Sequence, residues 1–375
     1  MTPRERVRAA MHLQSVDKIP LMCQMSIGHM LLQLKCSPAE FWHDVETFAD
    51  GLIALREIYD FDGILVSLHG HDPHWREQIQ SRTMKADHEE VVWKNGDRTE
   101  YELNDLPRHI AAVPRQPMLI GDYDLALLPR ELSYIPVSNG LYFKIDWEHP
   151  FDIFAMLKEK AGETYSIHGE ITSPFDYYLD LLGYENGLVG LIEDPVKAHA
   201  ILSHFTGLIK DCAVKMCGTG IDAIKVSSPF AGSTFISPDF YADFVVPYEG
   251  EIARAVRAQG VEIYTHTCGS IDDRLELMFD AGVSGIECLD PEPLGNVELK
   301  DAFVRIGKRG FIKGNIDSVN ILLFGTEDEI LTDVHRRIAL GRENGGFILS
   351  TACSIAPSAK REHIQLLRKA VDQWG

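Results

Sequence analysis

Eight short apolar runs recur along the chain: Ile19–Met25, Asp62–Leu68, Thr164–Ile171, Asp222–Ser227, Val261–His266, Ser284–Leu289, Gly310–Ile316 and Gly346–Thr351. Several are near-continuous in apolar character, as in strands covered on both faces of a parallel sheet. Helical patterns with recognisable ends lie between many of them. Ser37-Pro38-Ala39-Glu40 joins an N-cap residue to a proline at the first helical position, ahead of a run to Tyr59. Ser237-Pro238-Asp239 repeats the device before Phe240–Gln259, which stops at Gly260. Asp194-Pro195 opens Val196–Cys217, Ser270 or Asp272 opens Arg274–Ala281, Thr326 opens a run to Arg342, and Pro357-Ser358 opens a last helix to Trp374. Alternating strands and helices predict an α/β fold, either a doubly wound sheet or a βα-barrel, and eight strands favour the (β/α)8 TIM barrel.

One stretch breaks the alternation. Residues 87–146 are polar and proline-containing, with a hairpin signal at Asn95-Gly96 inside VVWKNGDRTEYEL. The expectation is one barrel over residues 1–375, with 87–146 inserted between its second and third strands and capping the mouth. No repeats or low-complexity tracts occur.

Charge and composition narrow the partners. Lys+Arg number 36 and Asp+Glu 56, a formal net charge of −20, so a nucleic acid or an anionic membrane surface would be repelled. No apolar stretch approaches the roughly 20 residues of a bilayer span, and the opening MTPRERVRAAMH has no signal-peptide core. The seven cysteines are odd in number and irregularly spaced, which reads as reduced thiols in a soluble cytoplasmic protein.

Barrel active sites lie at the C-terminal ends of the strands. The fifth run ends YTHTCG, with His266 and Cys268 two residues apart and able to face the same side; the sixth carries Glu287; the eighth leads into Cys353. An imidazole and two thiolates suit zinc, with Glu287 as an exchangeable fourth oxygen ligand. The bland alternative is a core histidine beside two cysteines packed as small hydrophobes.

FISPDFYADFVVPYEGEIARAVRAQGVEIYTHTCGSI, FIKGNIDSVNILLFGT and GGFILSTACSIAPSAKREHIQLLRKAV, in that order, resemble the uroporphyrinogen decarboxylase superfamily, as do TPRERVRAAMHLQSVDKIP and SPFDYYLDLLGYENGLVGLIEDP. The resemblance implies a single (β/α)8 barrel. The decarboxylases carry arginines in the first strand loop and an aspartate after the second strand. Here those places read LMCQMSIGHM and VSLHGHD, with Leu68 at the aspartate position, which disfavours porphyrinogen decarboxylation. The other branch comprises zinc-dependent methyltransferases of corrinoid systems, and its H-x-C with a distant S-x-x-C matches His266-Thr267-Cys268 and Ser350-Thr351-Ala352-Cys353. The resemblance therefore implies Zn2+ on His266, Cys268, Cys353 and Glu287, a corrinoid carried by a partner protein, a small methyl donor or acceptor, and a barrel that pairs as a homodimer.

Other strand ends supply secondary candidates. His69 and His71, in HGHDPH with His74, are read as a substrate-orienting or proton-donating wall, or as a polar loop bonding backbone. Glu170 is a candidate acid, base or structural partner, and one of Tyr177 and Tyr178 is expected to face the pocket. Ser227 and Asn315 are candidate cofactor or substrate contacts, with Lys313 nearby. Cys288 is expected on the opposite face from Glu287, as packing. Trp75, Tyr177, Tyr178 and the histidines favour a methoxylated aromatic donor, the O-demethylase reading. The alternatives are methylation of a thiol carrier from methylcorrinoid, or a non-catalytic tetrapyrrole- or corrinoid-binding protein.

Overall fold

Thirteen strands follow one another in a computed structural model that describes residues 1–375: β1 (Gly63–Val66), β2 (Ile79–Met84), β3 (His88–Trp93), β4 (Arg98–Glu102), β5 (Arg108–Ile110), β6 (Tyr134–Ser138), β7 (Leu141–Lys144), β8 (Ser166–Thr172), β9 (Ala223–Ser227), β10 (Glu262–Thr267), β11 (Gly285–Cys288), β12 (Phe311–Ile316) and β13 (Phe347–Thr351). Seven of them pair in parallel, in the order β1-β8-β9-β10-β11-β12-β13, with helices in the connections. No helix is long and apolar enough to cross a membrane.

The eighth place is held by an irregular segment. Ile19–Met25, expected as the first strand, makes only isolated bridges, Leu21 to Leu349 and Met25 to Ile355. Pro20 has no N–H to donate, so a regular ladder cannot run through it. The segment still closes the sheet. Met22 N donates to Leu349 O at 3.0 Å and Leu349 N to Pro20 O at 2.8 Å on one side; Asp62 N donates to Leu21 O at 2.7 Å on the other. The buried Asp62 carboxylate completes the seam by accepting from Leu21 N (2.8 Å), Arg6 Nη1 and Arg368 Nη2 (2.8 Å).

Helix starts follow their caps, but two expected helices are each divided. Asp44 accepts from Thr47 N at 2.9 Å and so ends one helix, Pro38–His43, while beginning another, Val45–Tyr59. The second division falls at Val245, between Pro238–Phe244 and Val246–Arg257. Pro247 then lies in a first turn, where its missing N–H costs nothing. The last helix begins at Arg361.

Between β1 and β8, which are neighbours in the barrel, the chain builds additional sheet. Strands β2 to β5 form an antiparallel meander turning at Asn95-Gly96, where Gly96 has φ +92°, and β6 pairs with β7. This segment packs directly on barrel elements. A Cβ on Gly28 would lie 2.0 Å from Asn104 O, and Tyr134 Oη donates to Asp180 at 2.8 Å.

Two stability measurements test this packing. Asp62→Ala strands two guanidiniums at the seam, and urea unfolding should show a loss of about 3 kcal/mol or more; an unchanged midpoint would mean that Asp62 does not hold the seam. Glu249, on the Val246–Arg257 helix, is buried without a cationic partner, and burial pushes its carboxyl up to about 7. A folded-state value above the unfolded one makes the native state the stronger proton binder. Its contribution is therefore lost as pH rises from about 4.5 to about 7, by about 3 kcal/mol. Glu249→Gln should thus gain on wild type in unfolding midpoint over that window; a constant difference would refute it.

Candidate metal centre

Parallel register sets His266 of β10 beside Glu287 of β11, Glu287 beside Lys313 of β12, and Glu170 of β8 beside Lys225 of β9. Lys225 and Lys313 are fully buried and Glu287 is 1% exposed, so each charge depends on the others for compensation. Lys225 Nζ lies 3.0 Å from Glu170 and 3.8 Å from Glu287, and donates to Gln24 Oε1 at 2.7 Å. Lys313 Nζ donates to Glu287 Oε1. Burial disfavours the charged carboxylate at Glu287, but Lys313, Lys225 and the His266 hydrogen bond override it and hold the group well below the usual range.

His266 joins this charged layer to the sulfurs of Cys268 and Cys353. Its Nδ1 donates to Glu287 Oε2 at 2.9 Å, which turns Nε2 toward Cys268 Sγ, 3.3 Å away. Cys268 Sγ lies 3.7 Å from Cys353 Sγ, and the three ligand atoms all fall within 4.8 Å of one another. Tetrahedral zinc, with bonds of about 2.3 Å to sulfur and about 2.0 Å to nitrogen, requires edges of about 3.8 Å between sulfurs and about 3.5 Å from nitrogen to sulfur. The observed separations fit those edges. Hydrogen bonding from the Cys288 and Cys353 thiols, together with His266, holds Cys268 well below the ordinary thiol range despite burial. Burial opposes the imidazolium at His266, yet the Cys268 charge and hydrogen bond, together with the Glu287 hydrogen bond, push it up to about 9. Cys268 and Cys353 are partly exposed and His266 is buried, so the cluster opens on its sulfur side.

Glu287 stands apart from the expected fourth-ligand position. Both its oxygens are engaged, one by His266 Nδ1 and one by Lys313, on the side of the imidazole away from the thiols. That is the carboxylate–histidine pairing that fixes the tautomer of a metal-binding imidazole. Cys288 is nearer the cluster than strand alternation predicts. Positive φ at Cys288 (87°) and Leu289 (57°) breaks the alternation, and Cys288 Sγ also lies 3.2 Å from Asp290 Oδ2. That same Asp290 oxygen accepts from Gly269 N at 2.7 Å, next to Cys268.

The secondary candidates disperse. Glu170 joins the charged layer through Lys225. His69 Nδ1 meets Pro150 O at 3.2 Å, with burial pulling the ring down to about 4. His71 packs between Phe48 and Phe143, burial pulling it to about 3. His74 is exposed beside Glu77. Tyr177 is tied to Tyr134 O and stacks on Phe205, Tyr178 donates to Gly187 O, and Trp75 stacks on His43. The aromatic wall expected beside the metal is therefore spread over core and insertion. Asn315 is occupied at both ends, donating to Leu289 O at 2.9 Å and accepting from Arg337, so its bonds tie strand to helix. Ser227 anchors the loop that leaves the neighbouring strand β8 through its carbonyl, which accepts from Ser173 N at 2.8 Å. Lys225 escaped sequence reading; its signal was a lone cation inside the apolar run Asp222–Ser227.

Residues 112–374 match the family described as uroporphyrinogen decarboxylase (URO-D). The chain is 24% identical to the methylcobamide:CoM methyltransferase MtbA of Methanosarcina acetivorans, over 97% of this chain and 96% of that one. It is also 24% identical to a methylated-thiol–coenzyme M methyltransferase of Methanosarcina mazei, over 53% of this chain and 51% of that one. A solved methyltransferase from Methanosarcina mazei has the same fold, with a TM-score of 0.74 at 20% identity over 100% of this chain and 99% of that one. The family match, which runs across most of the chain, shows that the chain belongs to the uroporphyrinogen decarboxylase family.

Proposed function

We propose that this protein is a zinc-dependent methyltransferase that moves a methyl group between the cobalt of a corrinoid carried by a partner protein and a small thiol. The observation that carries this reading is the three-atom set of His266, Cys268 and Cys353, at separations suited to zinc, with the far nitrogen of the imidazole already on a carboxylate. Zinc held there would supply Lewis acidity to a sulfur or oxygen at the remaining position, lowering the cost of negative charge on that atom. The protein's own groups do the rest. Glu287 keeps the proton at His266 Nδ1 and leaves Nε2 free to ligate. Lys313 and Lys225 keep Glu287 ionised so that it can accept that proton's hydrogen bond. The partly exposed sulfurs leave one approach open, whereas the buried strands beneath exclude water.

A thiol is preferred because the relatives' names pair methylcobamide with CoM and a methylated thiol with coenzyme M. A methoxylated aromatic is the second reading. It uses the same centre, but the rings that suggested it, Trp75, Tyr177 and Tyr178, pack elsewhere. We read 87–146 as a cover over the mouth of a single barrel, supported by the contacts of Tyr134 with Asp180 and of Met118 N with Leu182 O on the helix after β8.

Protein purified without added metal should carry about one zinc per chain, and Cys353→Ser should lose it together with thiol-dependent demethylation of free methylcobalamin. Wild type that neither holds nor takes up zinc overturns the reading. Glu287→Gln should retain the three ligands but bind zinc about 10–100-fold more weakly in chelator competition. Unchanged affinity would remove Glu287 from the centre.

A further inference from the structure

An aromatic-lined cavity lies away from the candidate metal centre and shares no residue with it. It has a volume of about 390 Å³ and opens between the β2–β5 sheet, the β6–β7 hairpin and the Pro38–His43 helix. Trp42, Trp75 and Tyr101 form a buried floor, with Trp93 beside them, and Leu141 is the one aliphatic residue in the lining. Such a surface of ring faces and edges suits a flat, unsaturated ligand.

The polar groups specify its charge. Trp75 is 2% exposed, and its Nε1 donor has no hydrogen-bond partner. Lys94 and Lys144 stand exposed at the rim, and neither makes an ion pair or a side-chain hydrogen bond. The lining carboxylates are already engaged. Asp72 accepts from His74 N and Gln78, Asp97 from Asn95 and Ala112 N, and Glu77 pairs with His74. The one buried polar atom of the lining without a partner is thus a donor, Trp75 Nε1, and the rim adds two unpaired cations, which together suit a ligand that carries a negatively charged acceptor.

We propose that this cavity is a second ligand site, which binds a planar aromatic carboxylate with its ring on the tryptophan floor and its carboxylate toward Trp75 Nε1, Lys94 and Lys144. The site is independent of the metal centre and of methyl transfer. It gives the insertion a function besides covering the barrel, as a site for an effector or for holding an aromatic acid.

Benzoate titrated against the full-length protein is the probe, read by tryptophan emission, since three of the chain's five tryptophans line the cavity. Saturable quenching is expected. It should weaken about tenfold or more in Lys94→Gln/Lys144→Gln, whose exposed positions leave the fold undisturbed, and severalfold in Trp75→Phe, which keeps a ring but loses the donor. Cyclohexanecarboxylate and benzyl alcohol, lacking the plane and the charge respectively, should each bind more weakly than benzoate. Cys353→Ser should bind benzoate as wild type does. No saturable response up to ~10 mM benzoate, equal response to either analogue, or full affinity in the double-lysine variant would overturn the proposal. Binding lost in Cys353→Ser would place the carboxylate on the metal and overturn it equally.

Discussion

A carboxylate buried to 1% exposure keeps its charge only where cations are held against it, and Glu287 has two lysines and a histidine within reach. Each comes from a different strand: Lys225 from β9, His266 from β10 and Lys313 from β12. The charge requirement therefore ties the register of four neighbouring strands to the orientation of one imidazole. A slip of one residue in any of them would turn a charged side chain outward and leave its partner uncompensated. The geometry of the sulfur cluster is inherited from this layer, because the hydrogen bond at Nδ1 decides where Nε2 points.

The seam at Asp62 is the corresponding device at the barrel's closure. Pro20 prevents a regular eighth strand, and the structure substitutes a carboxylate that bonds one backbone N–H and two buried guanidiniums. The first and last parts of the chain, through Arg6 and Arg368, are thereby fastened to the same strand start. This fastening also brings Cys353, far along the sequence, to the mouth where Cys268 lies. The insertion occupies the connection between β1 and β8, and it places its aromatic residues against Trp42 and His43 of the Pro38–His43 helix rather than over the His266–Cys268–Cys353 cluster.

Much of the site was legible in the residues. His266 and Cys268 at the end of an apolar run, with a cysteine after the last such run, carry their chemistry in residue type and spacing, and the fold brings their imidazole and sulfurs within 4.8 Å of one another. The place of Glu287 was not legible, because a carboxylate one strand over can face the thiols or the far nitrogen of the histidine, and here His266 Nδ1 and Lys313 hold it on the latter side. Cys288 escaped because two positive-φ residues override strand alternation. Tyr177, Tyr178, Trp75, His69 and His71 were read from their place after strand ends, and that place does not fix direction. Each finds its nearest partner in the core or in the insertion.

The sequence by itself determined the strand and helix alternation, the helix starts at Ser37, Ser237 and Thr326, the meander turn at Asn95-Gly96, and the residue types that can hold a soft metal. These follow from local rules of capping, periodicity and donor chemistry, which act within a few residues. Tertiary structure alone decided the split helices at Asp44 and Val245, the irregular closing segment, and the pairing of Lys225 and Lys313 with Glu287. It also decided which aromatic rings face the barrel and which face the insertion. Those outcomes depend on how buried polar groups find partners across long sequence separations, a balance that no single stretch of chain contains.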